Sequence, residues 1–275
     1  MAKGSHKKVE FLNLAYAFVV KTMQRLFLTW KYTGGIFALA YYSTRDYIQI
    51  DSGRHINNSI MVDQIYYTGV KSIRVISVVA FALGAITMIQ LFTQLSKVGA
   101  LNMLGTILNL VIIRELGPLL TAFILIARSG SAITVEIATM MVNDEINAIE
   151  MEGINNMNFI VFPRIAGVTI SVLLLTAYFN AMGLLGGYAI GNIYAGVTFA
   201  TFQSYIINSI ALFDLLTSFL KSLLFGIFIS SIAIYHGFQA FTSPQIPGVT
   251  TKSVVNSIFF IFMLDIIVTA FFAFL

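Results

Sequence analysis

Charged residues cut the later part of the chain into long apolar runs. The stretch 75–96, between Arg74 and Lys97, has no charge; 98–127 is apolar apart from the adjacent Arg114 and Glu115; 165–213 again has none; 215–235 is broken only by Lys221, and 253–275 only by Asp265. A helix needs about 20 mostly apolar residues to cross a bilayer. The pattern therefore predicts five spans, at 75–96, 98–127, 165–190, 215–235 and 253–275, with a polar or re-entrant connection through Asn192, Gln203 and Asn208. The fold class expected is an all-α integral membrane protein. An odd number of spans puts the two ends of the membrane domain on opposite faces.

The region 1–69 is too polar to span. Leu12, Tyr16, Val19, Met23, Leu26 and Trp30 recur every three or four residues beside Lys21, Arg25 and Lys31, which predicts an amphipathic helix lying in the headgroup layer. A cleaved signal peptide is the competing reading; it fits less well because Phe11 to Val20 is followed by Lys21 and Arg25 instead of a small-residue cleavage site. Domain boundaries follow: 1–69 interfacial and cytoplasmic, 70–275 the membrane domain. Basic residues gather on one side of the predicted spans, at Lys3 through Arg74, Arg128, Arg164 and Lys252, against Lys97 and Lys221 on the other. The positive-inside rule then puts the N-terminus in the cytoplasm and the C-terminus outside.

Composition agrees with the pattern. With 58% hydrophobic and 10% charged residues, the chain is neither a water-soluble globule nor a disordered segment. The net charge of +4 is accounted for by cytoplasmic loops, so no nucleic-acid partner is expected. Zero Cys removes disulfides, thiolate metal sites and cysteine nucleophiles. No metal-ligand spacing or nucleophilic triad is visible, so no catalytic or metal residues are expected.

Arg114 and Glu115 are the most informative residues. A charge at mid-membrane costs about 3 kcal/mol on insertion scales, so such groups pair, face a bundle interior or line a polar path. Gly117 and Pro118 follow, and Pro118 cannot donate to the Arg114 carbonyl, which predicts a kink. Asp214, Lys221 and Asp265 add ionisable positions in or near spans. Two readings stand: an internal ion pair that fixes packing, or a site for a polar or charged group. Gly183, Gly187 and Gly191, with Gly186 beside them, allow close helix approach, within the chain or at a protomer interface. The segment 135–153 reads as one acidic, Met-rich helix closed by Gly153, carrying Glu136, Asp144, Glu145, Glu150 and Glu152. It is either a solvated loop helix or a docking helix whose acids suit a basic rim. The chain has no G-x-x-x-x-G-K-[ST] loop, so any drive from ATP has to come from a partner.

Several motifs in register carry a resemblance: Ile113-Arg114-Glu115-Leu116-Gly117-Pro118, Ala127-Arg128-Ser129-Gly130-Ser131-Ala132, Glu136-Ile137, Glu150-Met151, Pro163-Arg164 and Tyr235-His236-Gly237. Over about 71–275 the chain resembles the MlaE-type permeases of the Mla/Mce lipid-transport ABC systems. The loop at 244–248 departs from the glycine-rich, basic stretch of that family. The resemblance implies a homodimeric permease with five membrane helices and an N-terminal interfacial helix per subunit, in the bacterial inner membrane. It implies two cytoplasmic ABC ATPase subunits, which hold the ATP and Mg, so that the chain is not itself an enzyme and needs no cofactor of its own. It also implies a periplasmic ring of MCE-domain proteins and membrane phospholipids as substrate. Arg114, Glu115 and Lys221 match the lipid-binding positions, with Asp214 and Asp265 as supporting polar groups, and 135–153 resembles the coupling helix.

Two other functions compete. An ion-coupled secondary transporter would use Glu115 and Asp265 as proton sites, but such carriers often show inverted repeats, and none is visible here. A membrane-embedded lipid enzyme needs a nucleophile or metal constellation at the surface, and none is apparent.

Overall fold

The computed structural model describes residues 54–274 together with Gly34, Gly35, Ala38 and Tyr41. The amphipathic helix expected around Leu12 to Trp30 lies outside the described residues. Among the described residues the regular elements are all helical. In chain order they are α1 (Arg54–Thr68), α2 (Ile73–Lys97), α3 (Leu101–Val142), α4 (Glu145–Met151), α5 (Phe162–Ala195), α6 (Phe199–Ser209), α7 (Leu212–Gly237) and α8 (Ile246–Ala273). Five helical stretches, built on α2, α3, α5, α7 and α8, are long and apolar enough to cross a membrane. The chain is a multi-pass membrane protein.

The spans exceed the apolar runs that predict them. The helix expected to end near Arg128 continues to Val142, because no proline or glycine C-cap stops it once it leaves the apolar layer; hydropathy marks where lipid ends, and a helix ends only at a breaker. α5 runs five residues past the expected Ile190 and stops where Gly196 takes φ 61. The connection after it contains a short helix, α6, capped by Thr198, whose hydroxyl accepts from Thr201 N–H at 3.4 Å. Its 11 residues rise only about 16 Å, too short to span. Phe202 and Ile206 pack against Leu108 and Ile112 of α3.

The acidic segment 135–153 is not one helix. α3 ends at Val142, Asp144 adopts the left-handed conformation with φ 58, and α4 begins at Glu145. Gly153, with φ 77, ends the segment as expected.

α5 is the central helix, lying against α2 on one side and α7 on the other. Its glycine stripe meets α2 of the same chain. A Cβ on Gly84 would overlap the Gly183 carbonyl, and one on Gly186 would overlap the Phe81 carbonyl. The close approach is thus internal to the protomer. Ser77 and Tyr178 hydroxyls at 2.7 Å add a polar tie between the same helices. The largest core cluster joins Phe179 of α5, Leu125 and Ile126 of α3, and Phe225 and Ile229 of α7.

Candidate functional site

The charges scattered along the sequence converge at one level of the bundle. Arg114 and Glu115 sit in a π-helical stretch of α3, Leu110–Leu116, just before Pro118. The Gly117 N–H reaches back five residues to the Ile112 carbonyl, and the widened turn re-aims the side chains it carries. The Arg114 carbonyl, which Pro118 leaves without its α-helical donor, accepts instead from Lys221 Nζ at 3.3 Å.

Lys221 has no exposed surface. Its ammonium donates to Glu115 Oε2 at 2.6 Å and lies 2.8 Å from Asp265 Oδ1, an ion-pair distance reached outside hydrogen-bond geometry. Three helices, α3, α7 and α8, are joined by this one cation. Thr269, one turn beyond Asp265, donates to Glu115 at 3.3 Å. Asp214 accepts from Asn109 Nδ2 at 3.0 Å and from the Ala211 N–H at 3.4 Å.

Arg114 is held loosely. Its guanidinium is 3.8 Å from Glu115 and 3.9 Å from Asp214, and among the described residues it makes no hydrogen bond. The arrangement is therefore asymmetric: Lys221 is locked, while Arg114, with 15% of its side chain exposed, keeps its donor fork available. Glu115 is closer to Lys221 than to Arg114, the reverse of the simple i, i+1 pairing that adjacency suggests. Of the apolar neighbours, Phe225 is buried in the core, whereas Leu119, Phe123 and Leu224 are only partly covered.

α7 shows why such a cluster is tolerated. Thr217, Ser218, Lys221 and Ser222 face inward and are buried, while Leu212, Leu216 and Phe219 are exposed. The polar face is inside and the apolar face outside, the arrangement a bilayer requires of a helix with ionisable groups.

The acidic residues of the connection lie apart from this cluster. Glu136, still on α3, pairs with Arg164 at 2.6 Å. Asp144 accepts from Asn147 at 2.8 Å, Glu145 from Asn143 at 3.0 Å, and Glu150 from Asn156 at 2.7 Å. Glu145 and Glu152 are exposed, and the buried Ile146 anchors α4 to the body. Met151 is 87% exposed, whereas Met140 and Met141 pack against the core.

Asn109 and Thr269 are members of the network that the reading of charges missed. Helical spacing holds a signal for Thr269, since it follows Asp265 by four residues and shares its face. Asn109 joins through Asp214 of α7, a partner that spacing along α3 does not reveal.

Comparison with known proteins places the chain. The family described as Permease MlaE matches residues 61–271. The chain belongs to the MlaE permease family. A Haemophilus influenzae relative named "Intermembrane phospholipid transport system permease protein MlaE" is 32% identical over 213 residues, 77% of this chain and 82% of that protein. A probable ABC transporter permease protein of Synechocystis is 30% identical over 87% of this chain and 88% of its own length. One from Rickettsia typhi is 29% identical over 77% and 82%. The matched region in the MlaE family holds all five charged members of the cluster and the acidic connection.

Proposed function

We propose that this permease is the membrane subunit of an ABC transporter that moves phospholipids between the bacterial inner membrane and periplasmic MCE-domain proteins, working as a homodimer with a separate cytoplasmic ATPase. The observation that carries the reading is the charge cluster: a loosely held arginine beside a locked lysine and three carboxylates, at mid-span, in a chain of the MlaE family. A phospholipid needs a cationic feature for its phosphate and an apolar surface for its chains. In this reading Arg114 meets the phosphate, its planar fork suited to that group. Glu115, Lys221 and Asp265 hold the three helices in register around it, and Asp214 keeps Arg114 aimed. Leu119, Phe123 and Leu224 offer the apolar side.

The drive comes through α3. This helix carries Arg114 and Glu115 within the membrane and runs on to Val142, directly before α4. Asp144, Glu145, Glu150 and Glu152 meet the ATPase, with Glu136 behind them tying α3 to α5 through Arg164. A push on α4 is then carried along α3 to the cluster.

The reading is tested by purifying the complex from native membranes and reconstituting it in liposomes with fluorescent phospholipid. An ATPase subunit co-purifies, lipid moves only with ATP, and Arg114→Ala abolishes movement in an intact assembly. Lipid movement at the wild-type rate in that variant, or a permease that isolates without any ATPase, contradicts it.

A further inference from the structure

A second constellation lies about 20 Å further along α3 by helical rise, and the charge cluster makes no use of it. A cavity of about 720 Å³ opens between α1, the distal part of α3 and the turn leading into α5. Lys71, Arg128 and Arg164 line it with Asp63 and Glu136, so three cations face two carboxylates. Its apolar wall includes Ile60, Tyr67, Ile133, Met140 and Phe159. That size and mix of one apolar wall with a few convergent polar groups is typical of small-molecule sites.

The polar groups are built in and incompletely used. Arg164 is only 7% exposed, yet it lines the cavity. Its Nη groups donate to Glu136 and to the Ile160 carbonyl, while its buried Nε has no hydrogen-bond partner among the described residues. Among the described residues the Arg128 guanidinium has one hydrogen bond, to Ser72 Oγ at 3.0 Å. Lys71 lies 3.9 Å from the centroid of the Tyr67 ring. Among the described residues neither Lys71 nor Arg128 has a carboxylate at ion-pairing distance. Two further π-helical turns, Ile126–Gly130 and Met157–Val161, bring Arg128, Ser129, Phe159 and Ile160 to this cavity. Such turns give up regular helical bonding, and they occur often at functional sites.

Depth identifies the kind of ligand. With Arg114 near the middle of an apolar layer about 30 Å thick, a group about 20 Å along the helix is in the headgroup layer. A soluble anion would need only the cations. Carboxylates beside the cations suit a headgroup bearing both signs, and the apolar wall suits the glycerol and upper chain carbons.

We propose that the cavity lined by Lys71, Arg128, Arg164, Asp63 and Glu136 is a second phospholipid site, selective for a headgroup that carries a phosphate and a primary ammonium. The phosphate takes the free donors of Lys71 and Arg128, with the buried Arg164 adding positive charge behind them; the ammonium takes Asp63 and Glu136. The inference does not depend on the central cluster holding lipid, nor on which face of the membrane is cytoplasmic.

Purified full-chain permease in detergent is given phosphatidylethanolamine carrying a photoreactive group high in one acyl chain, and labelled peptides are mapped. Labelling falls on 59–68 and 157–164. Lys71 and Asp63 are exposed, so Lys71→Gln and Asp63→Asn leave the core untouched. Lys71→Gln lowers labelling of these peptides by about tenfold, the effect of one charge-assisted contact. Asp63→Asn lowers it for phosphatidylethanolamine and leaves phosphatidylglycerol labelling unchanged. Peptides within 110–125, which report the central cluster, keep wild-type labelling in both variants. Equal labelling of 59–68 in Lys71→Gln and wild type, or by a photoreactive diacylglycerol, overturns the site. Wild-type labelling by phosphatidylglycerol as strong as by phosphatidylethanolamine overturns the role of the ammonium. Suppression of labelling by inorganic phosphate as effective as by unlabelled lipid makes the cavity a soluble-phosphate site and overturns the lipid assignment.

Discussion

Lys221 is fully buried and holds two carboxylates from two other helices. Replacing it with Met leaves Glu115 and Asp265 together without their shared cation; breaking a buried pair in this way costs about 3–5 kcal/mol. Lys221→Met is therefore expected to lose folded protein steeply on heating, read as the monodisperse fraction in size exclusion. Adding Glu115→Gln and Asp265→Asn removes the stranded charges and restores most of the loss; a triple variant no more stable than the single one contradicts the clamp. The identities of the cluster residues were legible in the sequence, because a charge inside an apolar run stands out. Their pairing was not, since Arg114 and Glu115 are neighbours in sequence while the π turn and the carbonyl exposed by Pro118 hand Glu115 to Lys221.

At the scale of elements, glycines and left-handed residues decide where helices meet and stop. Gly84→Ala puts a methyl group into the Gly183 carbonyl and should separate α2 from α5, whereas a Cβ on Gly187 meets its nearest neighbour, the Gly84 carbonyl, at 3.5 Å, an ordinary contact. Yield and thermal midpoint should therefore fall for Gly84→Ala and hold for Gly187→Ala. Equal behaviour of the two would show that the stripe does not set the spacing. Between α3 and α4, Asp144→Val forces a β-branched residue into the left-handed region at a cost of about 1–2 kcal/mol, while Asp144→Gly relieves it. The existence and order of the spans could be read from apolar runs, whereas α8 begins at Ile246, seven residues before its run, and the break at Asp144 was not read. Asn143 and Asp144 are weak helix formers that tolerate the left-handed region, a local signal that the helical pattern on either side of them hides.

For the whole molecule, coupling to a cytoplasmic ATPase requires α4 to be cytoplasmic and the α5–α6 connection to be outside. Cysteines introduced at Asn155 and Asn192, both exposed in a naturally Cys-free chain, should be labelled from inside and outside respectively; the reverse pattern contradicts the topology. With that orientation, Glu145→Lys sets like charge against a basic ATPase rim and should weaken ATPase binding, measured by co-purification; unchanged binding would return α4 to a solvated loop. In the proposed mechanism Arg114 holds the headgroup while Lys221 and Glu115 hold the helices. This division of roles is tested most directly by photolabelling full-chain permease complexes with phospholipid and quantifying the peptides within 110–125. That role for Arg114 means that Arg114→Ala keeps the dimer and ATPase assembled and loses about tenfold in labelling there, with Arg114→Lys recovering part of it. Wild-type labelling of those peptides in an intact Arg114→Ala complex would contradict it.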